Sequence, residues 1–174
     1  MTTYTYTTID PPGSTNTLPT GINDLGQIVG TYSSGGFLDS GGTYTTIDPA
    51  TNINDAGQIV GIYENSSAGF LYSGGTYTTI DPPGSNRIET INFNASGEVV
   101  GAYVDSNGVD HGFLYNHGNY AILNVPGALN TVAYNINASG QVVGFYQDSF
   151  GAPLQGFLYS NGTYTTIEPF RQCH

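Results

Sequence analysis

Apolar residues in this chain come in short extended runs, separated by polar and glycine residues that recur in the same order. Thr43-Tyr44-Thr45-Thr46-Ile47, Gln27-Ile28-Val29-Gly30-Thr31-Tyr32 and Gly69-Phe70-Leu71-Tyr72 exemplify three of them, and a fourth kind ends in Ile22-Asn23, Ile53-Asn54, Phe93-Asn94 and Ile136-Asn137. These runs are rich in β-branched and aromatic residues and only a few residues long, which predicts strands. No window of eleven residues carries a helical stripe, and glycine recurs too often for helices. Alternation is not clean either: Tyr77 and Ile80 fall on opposite faces of their strand, as do Leu71 and the pair Phe70/Tyr72. Strands with apolar residues on both faces belong to sheets covered on both sides.

The connectors read as hairpin turns. Asn-x-x-Gly at 23–26, 54–57, 94–97 and 137–140 puts Asn first and Gly fourth, as a type I turn prefers. Ser73-Gly74-Gly75 and Ser160-Asn161-Gly162 supply residues that accept positive φ. Pro-Pro-Gly at 11–13 and 82–84 fits the centre of a type II turn.

The whole phrase repeats. Its Thr-Tyr-Thr-Thr-Ile tyrosine stands at 6, 44, 77 and 164, with Tyr120 in the matching place, giving steps of 38, 33, 43 and 44 residues. A period in this range marks a solenoid, a propeller or another array. Four strands per unit, covered on both faces, predict an all-β fold: a small β-propeller of about four four-stranded blades, or four with an incomplete fifth. A parallel β-helix has shorter coils and lacks three hairpin signals per unit. The chain reads as one repeat domain over 1–174, with units at 3–42, 43–75, 76–118 and 119–162 and a terminal strand at 163–170. There are five Thr-Tyr-type segments for four sets of the other three, so one terminal strand is surplus. Met1–Ile9 or Thr163–Ile167 is expected to pair with the opposite terminal repeat or with a second molecule.

Composition narrows function more than it names it. The chain has no Lys, two Arg and thirteen carboxylates, for a net charge of −11. Nucleic-acid and anionic-membrane binding draw on Lys and Arg, so neither class of partner is expected. The single cysteine, Cys173, excludes an intrachain disulfide or a cysteine metal cluster. No apolar run reaches membrane-spanning length. The opening Met-Thr-Thr-Tyr-Thr-Tyr has no basic and apolar signal regions, so the chain reads as cytoplasmic or as having lost a leader.

Candidate chemistry divides into shared and unique positions. Asn23, Asn54, Asn94 and Asn137 recur at one place per unit, as do Asp10, Asp48, Asp81 and Glu168, with Asn124 breaking the acidic series. Repeated amides and carboxylates could present a ring of similar ligand sites, although Asn in Asn-x-x-Gly and Asp before Pro are also ordinary turn formers. Gln27, Gln58, Glu98 and Gln141 follow those turns as a further polar series. The third unit alone carries Asp110, His111, Arg87 and Glu89, the residues a catalytic site would use; no Gly-x-Ser-x-Gly elbow is present. Asp105, Asn107 and Asp110 in Asp105-Ser106-Asn107-Gly108-Val109-Asp110 are the candidate metal ligands, resembling the start of a calcium loop but lacking its later Glu. His117 replaces a turn glycine. No cofactor is expected.

Gly21-Ile22-Asn23-Asp24-Leu25-Gly26-Gln27-Ile28-Val29-Gly30 and Asp110-His111-Gly112-Phe113-Leu114-Tyr115 resemble the HAF-type bacterial repeat, named for a His-Ala-Phe triplet, over nearly the whole chain. The resemblance implies an extracellular protein with propeller-like folding and attaches no general activity. Only the third unit has the histidine, as His111-Gly112-Phe113; the others read Gly-Gly-Phe, Ala-Gly-Phe and Gln-Gly-Phe. Tyr, Asn, Asp and Gln bind sugars through ring faces and bidentate hydrogen bonds. The leading expectation is therefore a non-catalytic binding or display module, multivalent for glycans or small polar ligands, or taking another protein. The alternatives are an oligomerisation module using the surplus strand, and a small enzyme using the residues unique to the third unit.

Overall fold

The computed structural model describes residues 3–64 and 66–167, which hold sixteen strands in four antiparallel four-stranded sheets. Among the described residues no helix is long and apolar enough to cross a membrane. The first sheet is β1 (Thr17–Ile22), β2 (Ile28–Tyr32), β3 (Gly35–Ser40) and β4 (Thr43–Ile47), and the second is β5 (Ala50–Ile53), β6 (Ile59–Ile62), β7 (Gly69–Ser73) and β8 (Thr76–Ile80). The third is β9 (Arg87–Phe93), β10 (Val99–Val104), β11 (Asp110–Asn116) and β12 (Asn119–Leu123), and the fourth is β13 (Asn130–Ile136), β14 (Val142–Gln147), β15 (Gln155–Ser160) and β16 (Thr163–Ile167). Each is a simple meander with its strands in chain order.

Turn chemistry places the strands. Asn23 O accepts the Gly26 N–H at 2.9 Å, and the other three Asn-x-x-Gly turns close likewise. Between third and fourth strands the two linking residues both take positive φ: His117 at 47° with Gly118 at 94°, and Asn161 at 49° with Gly162 at 81°. That is the type I′ hairpin, whose twist suits the flanking strands. Because this link is so short, each Thr-Tyr-Thr-Thr-Ile strand pairs with the strand before it. The sheets therefore begin at the Ile-Asn strand rather than at the Thr-Tyr phrase.

The surplus segment lies at the N-terminal side. Thr163–Ile167 joins β15 within its own sheet, whereas residues 3–9 form no strand. Residues 168–174, including Glu168, Arg171, Cys173 and the end of the terminal strand expected over 163–170, lie outside the described residues.

Each sheet has two unlike faces, and the core is built between sheets. The face of the first sheet bearing Val29, Leu38 and Ile47 packs on the second sheet's Ala50, Ile53, Ile59, Phe70 and Tyr72. Val60, Leu71 and Ile80 of the second meet Ile91, Phe93, Val99, Phe113 and Tyr115 of the third. Val100, Leu114 and Leu123 meet Ala133, Ile136, Val142 and Tyr159. Among the described residues no comparable packing joins the fourth sheet to the first.

Every first strand carries a β-bulge against its neighbour: the unpaired residue is Thr20, Thr51, Glu89 or Tyr134 in turn. A bulge re-aims one side chain out of the pleat.

Candidate functional site

The repeated asparagines act as clasps between sheets. Asn23 Nδ2 donates to Gln27 Oε1 at 2.9 Å and to Asn54 O of the next sheet at 3.0 Å, while its Oδ1 accepts the Leu25 and Gln27 N–H groups. Asn54 does the same toward Asn94 O at 3.3 Å, and Asn94 toward Asn137 O at 3.1 Å. Both amide hydrogens and both lone pairs of these three side chains are thus used internally. Asn137 keeps the local bonds, to Gln141 Oε1 and from Ser139 and Gln141, and among the described residues makes no cross-sheet bond. The Gln27, Gln58, Glu98 and Gln141 series serves as acceptor for the asparagines.

The acidic series is drawn into a second clasp through its backbone. Asp10 N–H donates to Tyr44 Oη at 3.0 Å, Asp48 to Tyr77 at 3.3 Å and Asp81 to Tyr120 at 2.9 Å. At Asn124 the pattern breaks, and Val125 N–H donates to Thr131 Oγ1 instead. The Asp10 carboxylate accepts from Ser14 and Thr17, which lowers its pKa, Ser14 contributing most.

The residues unique to the third unit fall into two groups, because Asp110 and His111 are consecutive on β11 and face opposite ways. His111 Nδ1 accepts from Asn124 Nδ2 at 2.8 Å, so Nε2 carries the proton toward Asp105 Oδ2, 3.3 Å away. Both ring nitrogens are occupied by a carboxylate and an amide, which leaves neither to activate a hydroxyl. Asp105 is occupied by its own turn: the Val109 N–H above all, then those of Asn107 and the His111 ring, hold its carboxyl at about 2. Asn107 contributes Nδ2 to that turn, and Asp110 is engaged on the other face. Among the described residues no three His, Cys, Asp or Glu side chains converge to hold a metal ion.

On the opposite face Arg87 Nη2 lies 2.5 Å from Glu89 Oε1. Asp110 is pushed above the ordinary carboxylate value, first by burial and then by the Glu89 charge, against the pull of Arg87. Glu89 takes the guanidinium, and Asp110 stands near both as a second carboxyl with no ion pair of its own among the described residues.

Beside this cluster is a groove of about 280 Å³ lined by Thr51, Ile62, Glu89, Thr90, Ile91, Asn92 and Tyr134. Three of these, Thr51, Glu89 and Tyr134, are bulge residues from successive sheets. Tyr134 is 59% exposed. Thr51 Oγ1 and Thr90 Oγ1 reach the next sheet's first strand at Ile91 O and Ala133 O, so the groove wall is held from sheet to sheet. Sequence reasoning singled out Glu89 but missed Thr51, Asn92 and Tyr134. Thr51 repeats Thr20 of the first unit and Asn92 repeats Asn52 and Asn135, so neither carried a signal; only Tyr134 stands out, where the first two units have Thr. No protein-family model and no curated protein matches the chain.

Proposed function

We propose that the protein is a non-catalytic binding module of propeller type, in keeping with the HAF-like repeat, whose ligand is a small neutral or cationic saccharide. The observation that carries this reading is the groove itself. Three successive β-bulges turn Thr51, Glu89 and Tyr134 into one concavity, and bulges are retained where a side chain must be re-aimed. Its volume is at the low end of ligand sites, enough for one sugar ring. An exposed Tyr ring offers a face for axial C–H groups, and Glu89, Thr90 and Asn92 offer hydrogen-bonding atoms around it. Excess carboxylate beside the groove favours a neutral or amino sugar and repels sulfated or phosphorylated ones. The repeated asparagines are spent on the sheets, so ligand contacts fall on the unlike positions and the stoichiometry is one per chain.

Calorimetry with neutral, amino and sulfated mono- and disaccharides tests the reading. One site per chain is expected, weakened about tenfold by Tyr134→Ala or Glu89→Gln and absent for sulfated sugars. Binding indifferent to both substitutions, or equal for sulfated sugars, rules it out.

A further inference from the structure

The two ends of the sheet array bear the two halves of a contact that the chain makes three times internally. In each internal junction the face carrying Val29, Val60 or Val100 covers the face carrying Ile53, Phe93 or Ile136. At the ends the same positions are bare. Ile22, the counterpart of Ile53, is 67% exposed against 5%, and Val143, the counterpart of Val60, is 41% exposed against 0%. A cavity of about 480 Å³ lies over Pro19, Ile22 and Ile28 of the first sheet, with Ile9 of the N-terminal segment at its wall, and one of about 160 Å³ over Asn135, Val143 and Leu158 of the fourth.

The polar clasp is likewise split. Asn137 Nδ2 holds Gln141 but, among the described residues, lacks the cross-sheet acceptor that Asn23, Asn54 and Asn94 each find. The matching acceptor, the Asn23 carbonyl, receives among the described residues the N–H of Gly26 in its own turn and nothing from another sheet. Apolar burial and a hydrogen bond are therefore both available to one partner surface.

We propose that the free face of the fourth sheet docks on the free face of the first sheet in a second copy of this chain. The contact is heterologous, joining unlike surfaces head to tail, because every internal junction pairs unlike faces. It would bury Ile22 and Ile28 against Val143 and Leu158 and give Asn137 Nδ2 the Asn23 carbonyl. One of two identical segments, Thr5–Ile9 of one copy or Thr163–Ile167 of the other, then completes the outer edge of the docked sheet. The apolar surfaces attract and the net charge of −11 repels, so added salt strengthens the association.

Sedimentation velocity over rising protein concentration tests this. A species of at least twice 18.3 kDa is expected, favoured by salt. Ile22→Arg and Val143→Arg alter residues exposed in the single chain, and should leave its melting unchanged while weakening association about tenfold or more. Mixed together, the two variants should associate again, since each retains the half that the other has lost. Should Arg disturb melting, Ile22→Thr and Val143→Thr give the same comparison with a milder change. A wild-type chain that stays at 18.3 kDa throughout, dissociation by only one of the two substitutions, or failure of the mixture to recover would overturn the proposal.

Discussion

Phe70 fills the space that the missing side chain of Gly61 leaves. The two are register partners on adjacent strands, and a Cβ built on Gly61 would stand 2.6 Å from the Phe70 ring and 2.2 Å from the Pro49 carbonyl oxygen. The same pairing joins Gly30 with Phe37, Gly101 with Phe113 and Gly144 with Phe157. In each sheet, then, one glycine lets a buried ring lie flat against the backbone.

Gly61→Ala should therefore cost about 3 kcal/mol or more, since backbone on one side and a packed ring on the other cannot both yield. Gly74, at φ 55° with nothing within 4 Å of a built Cβ, provides the contrast. Gly74→Ala should cost only the left-handed strain, about 1 kcal/mol. Urea denaturation of the two variants separates steric exclusion from backbone conformation.

The asparagine clasp predicts a gradient along the chain. Asn94 is buried and bonds to Glu98, Asn137 and two backbone N–H groups, so Asn94→Ala should cost about 3 kcal/mol. Asn137→Ala removes the local turn bonds alone, with no cross-sheet partner among the described residues, and should cost less, about 1 kcal/mol. Equal losses in chemical denaturation would mean that the cross-sheet bond contributes nothing.

Two carboxyls should respond to pH in opposite senses. Asp105 is held at about 2 against an ordinary 3.8, so the folded state favours its ionised form. Its contribution is present above the ordinary value and lost as pH falls through about 2; Asp105→Asn should destabilise at neutral pH and converge with the parent in acid. Asp110 is raised, so the folded state favours its protonated form, an advantage lost as pH rises through the raised value. Asp110→Asn should stabilise the protein at neutral pH, with the gain vanishing below 3.8. Melting temperatures between acid and neutral pH measure both.

The two copies of the Thr-Tyr-Thr-Thr-Ile sequence, at 5–9 and 163–167, should not be equivalent to the single chain. Tyr4 and Tyr6 are exposed and residues 3–8 join no strand among the described residues, so removing that stretch should change stability by less than about 0.5 kcal/mol. Truncation after Gly162 strips β16 from β15 and uncovers Phe157, whose ring lies 5.7 Å from that of Tyr164. That loss should exceed about 2 kcal/mol in urea denaturation at dilute concentration.

Local chemistry was enough to specify the strands and turns, since β-branched runs, Asn-x-x-Gly turns and positive-φ hairpin links act between neighbouring residues. The all-β class and the four-strand repeat were legible for that reason, and His117 could be read as a turn residue before its φ was known. The candidate groove was not legible. Which residue of a first strand bulges depends on register with the next strand, and a slip of one residue sends every side chain to the other face. The bulge falls at Glu89 in the third sheet but at Tyr134 in the fourth, two residues out of alignment with each other. Likewise the second bond of Asn54 joins residues 40 apart, and only the stacking of sheets decides that this amide faces a carbonyl rather than a ligand. The chain alone determined what each repeat is, and tertiary structure decided which of its polar atoms are spent and which two faces are left over.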